Sequence, residues 1–300
     1  MAATRVKLWG VRGSIPVPGP STLRYGGNTS CVEVRADGEI IILDAGSGIR
    51  ALGLALEEEF GARAIQLSLL ITHSHWDHIQ GLPFFLPAYK EKNEIRVHGY
   101  EGAREGLGHI LATQMETPFF PVSMRDLPST ITIEELKKNE FNVGAVRIRS
   151  TFVNHPGICA GYRLFTSSGS IVYLPDNEPH ETFHAQNGGI PDEGHRSGSS
   201  ERAKLVEFLA GADLVMLDTQ YTDAEYKEHI GWGHGSLSST VDLALDAKVK
   251  RLLLFHHDPN HDDEAVEDMV AVARERVRNA GGTTEVDAAR EGAEFLLGSD

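Results

Sequence analysis

Short apolar runs recur along the chain and read as strands, because they are too brief for buried helices and are bounded by turn residues. They cover residues 6–9, 31–34, 39–43, 67–71, 95–98, 146–152, 160–166, 170–174, 214–217 and 251–255. Helical spacing of apolar positions appears at 49–60, closed by Gly61, and at 201–209, 237–248 and 262–280. Residues 101–114 carry a weaker helical pattern, interrupted by glycines. Three stretches read as irregular: a Gly/Pro-rich loop at 10–28, an aromatic-bearing loop at 115–128, and a polar surface excursion at 176–200. Strands run together in the first half, and strands alternate with helices in the second. That order predicts an α/β fold, two sheets with helices outside them, in one unit spanning 1–300.

Composition narrows the classes. The apolar fraction of 41% supplies an ordinary globular core. No run approaches the roughly 18 apolar residues a membrane span needs. The first ten residues hold no apolar signal core, so the cytoplasm is the expected location and no membrane partner is expected. Cys31 and Cys159 form no close pair and read as small buried residues. The formal charge is -15, with 43 carboxylates against 28 Lys plus Arg. Such a chain repels polyanions, which argues against a long nucleic-acid partner. It leaves room for a small phosphate ester, because a bound dication dominates the local field.

Histidine changes the picture most. Directly after the strand at 67–71 comes Thr72-His73-Ser74-His75-Trp76-Asp77-His78. Imidazole and carboxylate together suit a borderline cation such as zinc. Three histidines and an aspartate exceed what one four-coordinate ion takes from a single segment, so the run implies two neighbouring ions. His155, Asp176 and His256 each follow a later apolar strand, where sites of α/β folds gather.

With these residues the sequence resembles the metallo-β-lactamase superfamily: His-x-His-x-Asp-His, then His155, Asp176 and His256, in the family's order. The resemblance spans nearly the whole chain and implies a four-layer αββα sandwich with the metals at one edge of the sheets. It places one divalent ion on His73, His75 and His155, a second on Asp77, His78 and His256, and Asp176 between them. Zinc is the expected metal, with manganese or iron as alternatives. A hydroxide held between the two ions is the implied nucleophile.

The closer similarity is to the phosphodiesterase branch, which includes ribonuclease Z and bacterial cyclic-phosphate phosphodiesterases. It rests on Leu8-Trp9-Gly10-Val11-Arg12-Gly13-Ser14 with Gly26-Gly27-Asn28-Thr29-Ser30, on Asn154-His155-Pro156 with Gly161-Tyr162-Arg163, on Leu217-Asp218-Thr219-Gln220-Tyr221, and on Gly233-His234-Gly235-Ser236. Carried over, His234 donates a proton to the leaving oxygen and Asp218 orients it. Asp77 is counted with them as catalytic as well as metal-binding. Asp218 stands where the endonuclease has Glu. The tRNA-gripping arm of ribonuclease Z is missing at its usual place, since only one hairpin separates His155 from Asp176. Homodimers are common in that branch, which makes a homodimer an analogy here.

The expected activity is a dinuclear phosphodiesterase acting on a small or cyclic nucleotide-like diester. The alternatives are hydrolysis of a carbonyl substrate (lactone, thioester or β-lactam), tRNA 3′ processing, and a sensing module without turnover. A redox di-iron role fits less well, because that branch usually carries Glu where this chain has His75. Several roles stay open. His256 or adjoining His257 could be the last ligand, with the family order favouring His256. Asp44 reads equally as a turn former or as a partner of a ligand histidine. Phe119 and Phe120 either pack or stack on a base. His180, His184, His195 and His261 read as solvated surface residues, with His184 or His195 in a capping loop as alternatives that meet a substrate.

Overall fold

Two mixed sheets carry the molecule, each with a parallel and an antiparallel half. The computed structural model describes residues 3–100, 105–179 and 191–298, with backbone only for 191–199. In chain order the first-sheet strands are β1 (Thr4–Gly10), β2 (Cys31–Ala36), β3 (Glu39–Leu43), β4 (Gln66–Leu70), β5 (Glu94–Gly99) and β6 (Thr130–Glu135). The second sheet takes β7 (Glu140–Val143), β8 (Val146–Phe152), β9 (Ala160–Thr166), β10 (Gly169–Leu174), β11 (Leu214–Asp218), β12 (Arg251–Phe255) and β13 (Glu285–Ala288), and β14 (Glu294–Leu297) returns to the first. The orders are β14-β1-β2-β3-β4-β5-β6 and β13-β12-β11-β10-β9-β8-β7. Strands β3 to β6 run parallel, as do β10 to β13.

The apolar runs are continuous because both faces of the central strands are buried. Along β12, Leu253 and Phe255 point between the sheets, while Leu252 and Leu254 meet the helices. On β3, Ile41 and Leu43 face the other sheet and Ile42 faces the helix Ile49–Phe60. Helices Pro191–Leu209, Leu237–Asp246 and Asp263–Asn279 belong to the second sheet, and their apolar residues form its outer core. Three apolar layers between four structural layers make the αββα sandwich that the family resemblance implies. No helix among the described residues is long and apolar enough to cross a membrane.

Every strand expected from the pattern is present within a residue or two at each end. The strands it leaves out are β6, β7, β13 and β14, which are the outermost strands of the two sheets. Edge strands face water along one side and are kept short and charged, which dilutes the apolar signal. The polar stretch at 176–200 is only partly a surface excursion: Asn177 and Glu178 are buried, and a helix begins at Pro191 rather than near 201. The weak pattern at 101–114 gives a helix at Leu107–Thr113. The loop at 115–128 is anchored by buried Met115 and Leu127, and Phe120 packs edge-to-face on Phe84 at 5.5 Å while Phe119 stays exposed. Both cysteines are buried and unpaired.

Candidate metal centre

The parallel strands set the site. β4 ends at Leu70, and the chain leaves it through Thr72, His73 and His75 into a one-turn helix, Trp76–Ile79. His73 and His75 therefore precede the helix, while Asp77 and His78 lie on its first turn. One loop thus serves two neighbouring positions. Asp176 follows β10, Asp218 ends β11, and His256 follows β12 with a left-handed φ of 62°.

These ends, with His155 after β8, converge on two groups that share no residue, and a third, Asp176, His234 and His256, overlaps both. His73, His75, His155 and Asp176 form one, and Asp77, His78 and His256 the other, each with donor atoms within 4.8 Å of one another. Asp176 faces both. Its Oδ2 lies 3.6 Å from Nε2 of His73 and of His155, and its Oδ1 lies 3.1 Å from His78 Nε2 and 3.5 Å from His256 Nε2. Within the second group, Asp77 Oδ2 lies 3.2 Å from His78 Nε2 and 3.0 Å from His256 Nε2. His257 turns the other way, its Nε2 donating to Ala289 O at 2.9 Å.

Outer partners fix which ring nitrogen is bare. His155 Nδ1 donates to Gly233 O at 2.8 Å, His78 Nδ1 to Asp44 Oδ2 at 2.7 Å, and His256 Nδ1 to Gln220 Oε1 at 2.9 Å. Thr72 Oγ1 gives its proton to Asp44, so it accepts from His73 Nδ1 at 3.1 Å. Each of these rings then presents a lone pair at Nε2 to the centre. There the lone pairs meet only each other and two carboxylates. His78 and His256 bring Nε2 atoms to 3.3 Å, and His155 Nε2 faces His75 Nδ1 at 3.0 Å. His73 Nε2 and Asp176 Oδ1 are buried without a hydrogen-bond partner. Four ring Nε2 atoms with their outer nitrogens already partnered, gathered round two carboxylates, fit a divalent cation site.

The electrostatics agree. Burial would raise Asp77 and Asp176, but the surrounding imidazoles outweigh it and hold both carboxyls well below the usual range. Burial lowers His73 well below the usual histidine range and His155 to about 4, so both rings are neutral at pH 7. Around His78 the carboxylates Asp77, Asp176 and Asp44 overcome burial and draw positive charge to the ring. A divalent cation meets the same demand and leaves the ring neutral.

His234 lies beside the second group. Its ring stacks on His256 with centroids 4.9 Å apart, and its Nδ1 is 3.1 Å from Asp218 Oδ2 against 3.8 Å from Asp176 Oδ2. The shorter contact makes Asp218 its partner. Asp218 is itself held by the backbone N–H groups of Asn177, Gly235 and Gln220. Burial lowers the His234 pKa, but the Asp218 charge and hydrogen bond, helped by Asp176 and Asp77, raise it to about 9.

Sequence reasoning left the outer supports unresolved or unseen. Asp44 orients His78 and Thr72 and accepts from Tyr173 Oη, which makes it the partner of a candidate ligand. Gln220, Gly233 and Ser14 stand in the quoted motifs without an assigned role; the Ser14 amide donates to Asp77 Oδ2 at 2.8 Å. Ser14 follows Gly13, where a Cβ would lie 2.4 Å from the His256 ring; the glycine of that motif is a packing requirement. His261 departs from the surface role read for it: it is buried, with Nε2 2.9 Å from Glu225 Oε1. Its carbonyl accepts from the buried Arg12 guanidinium. His180, His184 and the His195 side chain lie outside the described residues.

The αββα sandwich and its histidine–aspartate groups at the strand ends, taken with the relatives named next, mark the chain as a metal-dependent hydrolase. A family model described as Beta-lactamase superfamily domain matches residues 40–257, and the chain belongs to that family. Among curated relatives, ribonuclease Z of Natronomonas pharaonis is 24% identical over 288 residues, covering 84% of this chain and 86% of that protein. Among solved structures, the metallo-β-lactamase fold protein YhfI from Bacillus subtilis superposes with a TM-score of 0.66 at 16% identity, covering 98% of this chain and all of that one. A diphosphatase from the PhnP family gives 0.63 at 18% identity, covering 97% of each chain.

Proposed function

We propose that the chain is a dinuclear phosphodiesterase acting on small or cyclic nucleotide-like diesters. The observation that carries this reading is the pair His234–Asp218 beside Asp176 and His256, a proton donor held next to the two metal positions. Hydrolysis of a phosphodiester expels a poor alkoxide leaving group, and protonating that oxygen is the task such a pair suits. Relatives named ribonuclease Z and a PhnP-family diphosphatase support phosphorus over carbon as the centre attacked.

His73, His75 and His155 would hold one ion and Asp77, His78 and His256 the other, with Asp176 serving both. Two divalent ions, when bound, supply Lewis acidity: positive charge for the phosphoryl oxygens and activation of a water nucleophile. The chain's own residues do the rest. Asp44, Gln220 and Gly233 keep the ligand rings aimed. Asp218 keeps His234 protonated and directed, and His234 gives its proton to the leaving oxygen. Zinc is the metal this donor set favours.

Size and charge support a small substrate over tRNA. Between His155 and Asp176 the chain forms only the β9–β10 hairpin, and the net charge is -15. Two exposed indoles suit a nucleobase. Trp76 lies within the metal loop itself, 80% exposed. Trp232, 61% exposed, stands two residues before His234 and is braced edge-on by His229 at 4.8 Å.

The acid role has a pH signature. His234 is competent while protonated, so activity falls as pH rises through its pKa. That alkaline limb should stand no higher than about 9, since each bound cation lowers it. Asp218→Asn removes the charge that raises His234 and leaves burial to dominate. Rate–pH profiles on a cyclic nucleotide should show the limb moved down by about one unit or more in the variant. Superimposable profiles would rule out His234 as the acid.

A further inference from the structure

Glu178 is a fully buried carboxylate that the reaction above does not use. Its charge is met by hydrogen-bond donors from a single segment. Oε1 accepts from Tyr226 Oη at 2.9 Å and from Gly231 N at 2.6 Å, and Oε2 accepts from Gly233 N at 2.9 Å. Burying a carboxylate is costly unless such donors meet it, so this geometry is strongly held.

The Gly233 peptide is the point where this clamp reaches the site. Its N–H goes to Glu178, while its carbonyl accepts Nδ1–H of His155 at 2.8 Å. The turn lies against the ligand: φ at Gly233 is +90°, and a Cβ there would lie 2.4 Å from His155 Nδ1. His234 is the next residue. The same Glu178 also holds the other flank of His155. Its backbone N–H donates to Asn154 O at 2.8 Å, and its carbonyl accepts from Asn154 Nδ2 at 3.2 Å. One residue therefore grips the chain immediately before His155 and, through Gly233, the outer nitrogen of its ring.

We propose that Glu178 is a positioning residue: its carboxylate fixes the 231–233 turn so that the Gly233 carbonyl aims His155 at the metal and the following residue, His234, at the leaving oxygen. The inference rests on the metal-centre reading for His155 and on the phosphodiesterase reading for His234. Partners that orient a ligand ring commonly govern metal affinity by 10- to 100-fold.

The test compares wild type with Glu178→Gln and Glu178→Asp. Glutamine keeps the size but turns an NH2 group towards one of the backbone donors; aspartate keeps the charge on a shorter arm. Zinc is titrated calorimetrically into each apo protein, and kcat and KM on a cyclic nucleotide are measured with metal saturating. The expected result for Glu178→Gln is zinc affinity lowered about 10- to 100-fold and kcat lowered with KM little changed, with Glu178→Asp recovering part of both. Unchanged zinc affinity and kcat in the folded Gln variant would overturn the proposal, even if its apo melting temperature fell. If Gln does not fold, Asp carries the test: affinity and kcat equal to wild type would overturn it, and intermediate values support it. Should wild type cleave no phosphodiester, the functional reading fails, while the zinc titrations still decide the positioning of His155.

Discussion

Replacing Asp176 by Asn is expected to remove activity by on the order of 10³-fold and to lower metal content below two ions per chain. The reason lies in its two oxygens. Oδ2 faces His73 and His155, and Oδ1 faces His78 and His256, so this carboxylate adjoins both groups. The amide that replaces it carries no charge and turns an N–H group towards ring nitrogens that must keep their lone pairs. The residue is buried, and water cannot make up the loss. A 10³-fold loss corresponds to about 4 kcal/mol of transition-state stabilisation. Metal analysis of the purified variant, beside its kcat/KM, checks both halves. A variant that keeps two tightly bound ions would show that Asp176 does not join the groups.

Removing the proton donor should act differently. His234→Ala is expected to leave metal content unchanged while lowering kcat by roughly 10²- to 10⁴-fold on a cyclic nucleotide. On bis(p-nitrophenyl) phosphate the loss should be far smaller, because p-nitrophenolate leaves without a proton. The contrast follows from position. His234 is bonded to Asp218 at 3.1 Å and stands 3.8 Å from Asp176, beside the ligand set. Equal losses on the two substrates would point to a ligand or packing role for His234, and intact activity on both would remove it from the acid role.

Much of this candidate site is legible in the sequence because most of its candidate ligands follow apolar strands. The run from His73 to His78 is local, and its division between two positions follows from where the helix Trp76–Ile79 starts. His155, Asp176 and His256 are single residues, and family order rather than pattern picks them out. The supports are harder to see. Asp44 meets His78 across 34 positions, and Gln220 meets His256 across 36. The Gly233 and Ser14 contacts are made by backbone atoms, so the sequence shows them only as glycine-bearing motifs and not as contacts. Glu178 reads as part of a polar excursion because its polarity says nothing of the donors that the 226–233 segment brings to it. The fold shows the same division. Central strands such as β12, buried on both faces, announce themselves, while edge strands such as β13, with Glu285 and Asp287 exposed, do not.

The central claim is that these two histidine–aspartate groups serve phosphodiester cleavage. Its most direct measurement is metal analysis of the purified protein coupled to one substrate panel: bis(p-nitrophenyl) phosphate and cyclic nucleotides beside lactones, thioesters and β-lactams. The account predicts about two divalent ions per chain and turnover confined to the phosphodiesters. A fully metal-loaded protein that hydrolyses a carbonyl substrate and leaves every phosphodiester intact would contradict it.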